Sequence, residues 1–404
     1  MPGLAMADHE FAVPLDHADP GGRTISVFAR EIRDPALTGD LPWALFLQGG
    51  PGGASPRPVG PGHWGPLLRT HRVLLLDQRG TGRSTPVTAT GSDAELAAYL
   101  RHFRADAIVA DCEHIRRTLG VDAWETWGQS YGGFVTLTYL SQAPEGLRAC
   151  HITGGLPGLD ATADDVYTRT YDRVRDKVRR HYRRYPGDEA RAGRIAEHLA
   201  GEEVLLPDGD RLTVDRFRML GQKLGMSDGS ARLHWQLTEA WHGDRLSDGF
   251  RYEVMTETGF IGNPIYAVLH EPVYAQGMAT RWSAERLRPT GSAADEMFTG
   301  EMIYPWMFDD IGSLRPFKGA AGLLAETADW PPLYDPARLA ANEVPVAAVV
   351  YHDDMYVDAG LSLRTAERVG NVRVWVTNEF EHDGFRVASD QIMPRLMRMV
   401  SGPL

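Results

Sequence analysis

Ser130 lies at the centre of Gly128-Gln129-Ser130-Tyr131-Gly132, a G-x-S-x-G pentapeptide that follows a short apolar run. A serine hydroxyl is a poor nucleophile until a base takes its proton. Small flanking residues allow the tight strand-to-helix turn that presents such a hydroxyl. A base and an orienting acid must then follow, in the chain order Ser, Asp, His for this kind of turn. Asp354 stands just past one strand-like run and His382 just past the next. Three correctly typed residues on three strand-end loops, in that order, point to nucleophilic acyl transfer. Asp353 is the rival for the acid, and Asp358 lies further along the same loop. Acyl transfer also needs donors for the developing oxyanion. The N–H of Tyr131 supplies one, and the Gly49-Gly50-Pro51-Gly52 loop a second, from Gly50.

The elements that must position these residues are readable as alternating runs. Strands are expected at 24–32, 43–47, 72–77, 123–127 and 149–153, with a long helix over 93–119 and another over 134–140. Ile108, Cys112, Ile115 and Leu119 recur at helical spacing on one face. Strand, helix, strand in alternation implies a mainly parallel sheet with helices on both faces, whose strand ends carry the ligand site. From 159 to 330 charged, helix-like segments dominate, and Pro331-Pro332 marks their end. The α/β pattern then resumes with strands at 346–351 and 372–377. The expected organisation is one α/β core, 1–158 and 331–404, with 159–330 inserted as a helical lid. The run from Tyr167 to Pro186, dense in arginine, reads as a solvated helix face.

The formal net charge of -12 argues against nucleic acid and against a polybasic membrane anchor as partners. The first residues lack the apolar core of a signal peptide, and no apolar run is long enough to span a bilayer. Cys112 and Cys150 form no C-x-x-C, and no histidine stands in zinc spacing. The expectation is a soluble, cytoplasmic protein with no metal and no cofactor.

The chain resembles the larger bacterial branch of the proline iminopeptidases, members of the α/β-hydrolase superfamily. The resemblance is carried by LQGGPGG (47–53), LDQRGTGRS (76–84), GQSYGGF (128–134), HEPVYAQG (270–277), GEMIYPWMF (300–308), YHDDMYVD (351–358) and EHDGFR (381–386). It implies an α/β-hydrolase fold with a helical cap and a serine exopeptidase that releases N-terminal proline from peptides. Carried over by motif, Ser130 is the nucleophile, His382 the base and Asp354 the acid. Asp354 stands nine residues after Pro345, the spacing the family keeps, which prefers it over Asp353. The resemblance also implies that Glu271 and Glu301 hold the substrate's free amino group. Tyr266, Tyr274, Tyr304, Trp306 and Phe308 are candidates to pack on the pyrrolidine ring. Two other readings keep part of this pattern: a broader aminopeptidase or ester or amide hydrolase, and a non-enzymatic ligand-binding module.

Overall fold

The computed structural model describes residues 2–290 and 297–402. Eight strands form the main sheet: β1 (Ala5–Pro14), β2 (Thr24–Arg33), β3 (Trp43–Leu47), β4 (Arg72–Leu76), β5 (Trp124–Gln129), β6 (Leu147–Thr153), β9 (Val346–Tyr351) and β10 (Val372–Thr377). A small hairpin, β7 (Trp241–His242) with β8 (Arg245–Leu246), stands apart. The main order is β1-β2-β4-β3-β5-β6-β9-β10. From β4 to β10 all neighbours are parallel, and β1 and β2 are joined antiparallel at one edge.

Both faces of this sheet are covered, and the two-residue period of the strands shows it. Leu45, Leu47, Leu74 and Leu76 pack with Ile108, Cys112, Ile115 and Leu137 from the helices Ala105–Thr118 and Tyr131–Gln142. Their chain neighbours Ala44, Phe46, Val73 and Leu75 pack with Leu67, Ile392 and Leu396 on the opposite face. Alternate residues of one strand thus feed two cores, which is why these strands read as unbroken apolar runs. Each fully buried leucine contributes about 1.5–3 kcal/mol. Between β6 and β9 the chain is mostly helical, and a third core lies among those helices. Cys112 and Cys150 are free and buried, and burial pushes the Cys150 thiol up to about 12.

Two expectations are corrected and one strand is added. The helix expected over 93–119 is two, Asp93–Leu100 and Ala105–Thr118, separated by a 3-10 turn and an extended Arg104. The break has a tertiary cause: the buried Arg104 guanidinium donates to the carbonyls of Ala275 (2.8 Å) and Pro331 (2.9 Å) and lies over the Trp330 ring. Strand β1 was not expected. It is an edge strand whose first half is solvent-facing, so its sequence carries few apolar residues there. The arginine-rich helix Ala163–Arg184 is not wholly solvated: Arg169 and Arg173 pair with Asp358, Lys177 with Glu381 and Arg180 with Asp353, on the loops that follow β9 and β10.

Candidate active site

Ser130 follows β5 and precedes the Tyr131–Gln142 helix. Its backbone has φ 53° and ψ -123°, a left-sided conformation that costs a non-glycine residue about 1–3 kcal/mol. Neighbouring hydrogen bonds hold it there. The Ser130 N–H donates to Thr153 O (2.9 Å) and Gly133 N–H to Ser130 O (2.7 Å). The glycines of the pentapeptide are required by close approach. A Cβ on Gly132 would lie 1.9 Å from the Leu47 carbonyl oxygen, a distance no side chain can take. Tyr131 opens the helix, so its N–H is among those with no acceptor inside the helix. The loop after β3 runs against the serine: a Cβ on Gly49 would lie 3.6 Å from Ser130 Oγ. Gly50, with φ 138°, adopts a conformation open only to glycine.

Asp354 and His382 meet. His382 Nδ1 and Asp354 Oδ2 are 2.7 Å apart, and both residues are buried. The other carboxylate oxygen accepts the N–H groups of Tyr356 (2.9 Å) and Val357 (3.2 Å). Those bonds fix the carboxylate, and the carboxylate fixes the imidazole with Nδ1–H toward it and Nε2 free to accept. Burial lowers the His382 pKa, but the charge and hydrogen bond of Asp354 outweigh it, so the net shift is upward. Asp353 points elsewhere. It pairs with Arg180 (2.7 Å) and His352 (3.0 Å), and the Arg180 bond holds its pKa down to about 2. Asp358 caps the Ala359–Ala366 helix through Leu361 N–H (3.0 Å).

The serine and histidine loops are tied together directly. Gln129 Nε2 donates to the His382 carbonyl (3.2 Å), and Thr153 Oγ1 donates to Gln129 Oε1. A Cβ on Gly154 would lie 3.3 Å from His382 Nδ1, and one on Gly155 would lie 2.3 Å from Ser130 O. Serine and imidazole therefore flank the same two glycines. Such an arrangement can deprotonate a hydroxyl, hold the resulting imidazolium and stabilise an oxyanion.

The two glutamates differ. Glu301 accepts the Tyr266 hydroxyl, and its charge acts on His382. Glu271 is buried, and its oxygens accept the N–H groups of Ser283 (3.0 Å) and Ala284 (2.9 Å). Burial raises its pKa against those bonds. The charges of both glutamates reach Tyr167 and Tyr274. Of the aromatics, Tyr266 and Tyr274 stand with this group. Tyr304 stacks on Trp306 and shares a hydrogen bond with Tyr171, while Phe308 packs edge-on to Trp282. Those three pack within the mostly helical stretch between β6 and β9.

Residues 42–387 match the family model for the alpha/beta hydrolase fold. The chain is 47% identical to a proline iminopeptidase of Aeromonas sobria, over 98% of this chain and 97% of that one. It is 35% identical to a proline iminopeptidase of Aspergillus aculeatus, over 97% and 93%. The chain belongs to the proline iminopeptidases of the alpha/beta hydrolase fold. A solved proline iminopeptidase of Mycobacterium smegmatis superposes with TM-score 0.48 at 13% identity, covering 97% of each chain.

In this hydrolase, residues that the quoted motifs contain but that carried no expected role also crowd the site. Tyr356 sets its ring edge-on to His382, 4.8 Å between centroids. His270 is buried beside Tyr266, 5.1 Å between centroids, and burial lowers its pKa. Gln129 ties two loops. Tyr356, His270 and Gln129 each lie within two residues of an expected site residue and inside a quoted motif, and those are the signals that could point to them.

Proposed function

We propose that the enzyme releases N-terminal proline from peptides through an acyl-enzyme on Ser130. Ser130 Oγ attacks the carbonyl carbon of the terminal proline, and His382 Nε2 takes the hydroxyl proton. Asp354 orients the imidazole and stabilises its charged form. The N–H groups of Tyr131 and Gly50 receive the oxyanion. The tetrahedral intermediate collapses and His382 gives the proton to the leaving amine; water, deprotonated by His382 Nε2, then attacks the ester carbon, and the bond to Ser130 Oγ breaks as Oγ takes that proton back, releasing proline. Residues 159–330 act as a cap domain over the strand ends of the core, 1–158 with 331–404. Glu301 and Glu271 bring negative charge to the protonated secondary amine in a site where burial strengthens the attraction. Tyr266 and Tyr274 offer ring faces to the pyrrolidine. We assign the activity to the cytoplasm, where two free, buried cysteines stay reduced.

The observation that carries this reading is the 2.7 Å contact between His382 and Asp354 on loops that flank the Ser130 turn. Its test is hydrolysis of a proline arylamide beside an N-blocked proline arylamide and an alanine arylamide. Cleavage of the free-amine proline substrate alone is expected. Equal cleavage of blocked and free substrates would remove the exopeptidase reading, and an equal rate on alanine would favour a broader aminopeptidase.

The pH dependence has a definite sign. His382 acts as a base only when neutral, and its folded pKa lies above the ordinary 6.5. The acid limb of kcat/KM is therefore expected to fall off at a pH above 6.5, with full activity on the alkaline side. A limb centred below 6.5 would contradict the role given to Asp354.

A further inference from the structure

His382 sits between two acidic neighbours, Glu381 and Asp383. The inserted helical segment holds both. Lys177, on the Ala163–Arg184 helix, donates to the two carboxylate oxygens of Glu381, at 2.5 Å for Oε1. Ser227 donates its N–H (3.0 Å) and its hydroxyl (2.6 Å) to one oxygen of Asp383. Arg386, of the core, takes the other. Between these two holds, the His382 N–H donates to the Gly225 carbonyl (3.1 Å). From below, the core adds Gln129 to the His382 carbonyl.

The Lys177 side chain is only 7% exposed. A buried ammonium is costly unless it stays paired, so this contact is a fixed one rather than a drifting surface bridge. The Asp354 loop is gripped by the same helix. Arg180, three residues on from Lys177 and so on the same side of that helix, binds Asp353 (2.7 Å), the neighbour of Asp354.

We propose that Lys177 and Ser227 are positioning residues for His382, which fix Glu381 and Asp383 and thereby make the histidine's aim depend on a seated cap. The inference rests on the Ser130–His382 chemistry proposed above. A displacement of the order of 1 Å at a catalytic group can cost about 100-fold in rate, so losing either hold should appear in the chemical step.

The test uses the full chain carrying Lys177→Met, Lys177→Arg or Ser227→Ala. Two rates are measured: turnover of a proline arylamide, and phosphonylation of Ser130 by a small fluorophosphonate, which needs no amine pocket. Lys177→Met is expected to lower kcat and the phosphonylation rate constant together, by about 10- to 100-fold, with KM within about twofold. Ser227→Ala should do the same to a smaller degree, about 3- to 10-fold, and Lys177→Arg should restore most of the rate. A misfolded fraction would reduce the amplitude of labelling, not its rate constant. Unchanged rate constants in both Lys177→Met and Ser227→Ala would overturn the proposal. So would a rise in KM alone, which would make these contacts part of substrate binding. If Lys177→Met fails to fold, Ser227→Ala and Lys177→Arg decide. Failure of the wild type on the proline substrate would sink the peptidase reading but leave the phosphonylation comparison intact.

Discussion

Ser130→Ala is expected to lower kcat on a proline arylamide by about 10,000-fold or more, because in the proposed mechanism its hydroxyl carries the covalent step. The folded protein should be little affected. The side chain makes no capping hydrogen bond to the helix it precedes. The informative companion is Ser130→Gly. The backbone at φ 53° and ψ -123° is strained for any residue with a Cβ and relaxed for glycine. Ser130→Gly should therefore equal or exceed the wild type in chemical-denaturation stability, by about 1 kcal/mol, while losing activity as fully as the alanine variant. Denaturation midpoints and arylamide turnover of the three proteins check both halves. A glycine variant clearly less stable than Ser130→Ala would show that strain is not what the turn stores.

Asp354→Asn should lower kcat by about 10,000-fold, and Asp353→Asn by about 10-fold at most, through the weakened Arg180 hold on the loop. The asparagine keeps the shape but offers Nδ1 no charge and, in one of its orientations, a donor where an acceptor is needed, which favours the wrong tautomer. It should also bring the acid limb of kcat/KM downward, because the raised His382 pKa depends on the Asp354 charge against the opposing effect of burial. Asp353 touches Arg180 and His352, not His382. Its pKa is depressed to about 2, so its contribution to stability is present above its ordinary 3.8 and is lost as pH falls through that window. Partial exposure limits that contribution to about 1 kcal/mol at most. Side-by-side kinetics and acid titrations of the two variants separate the roles. Equal losses in both would overturn the assignment of the acid.

The sequence made these strand-end loops legible because each follows an apolar run bounded by glycine or acidic residues. Ser130 and His382 needed only that pattern. The choice between Asp353 and Asp354 did not follow from it, since two adjacent side chains on a loop point in different directions and a pattern of types contains no direction. Lys177 was read as part of a solvated basic face because helix periodicity shows which residues share a side, not what that side meets. Arg104 was read as helix for the same reason: its partners, Ala275 and Pro331, lie far along the chain. Glu271 and Glu301 came from family likeness alone, and their separate hydrogen-bond partners are tertiary facts. Strand β1 escaped notice because an edge strand with one wet face carries too few apolar residues to announce itself.

The long, mostly helical stretch between β6 and β9 also has a consequence in time. Ser130 and His382 are 252 residues apart in the chain (382 minus 130). At about 5–20 residues per second of synthesis, the serine turn precedes its histidine by roughly 10–50 s. During that interval the nascent chain holds Ser130 without His382. In the proposed mechanism the nucleophile is made first and its base last, so an unfinished chain lacks the general base it would need to cleave the peptides around it.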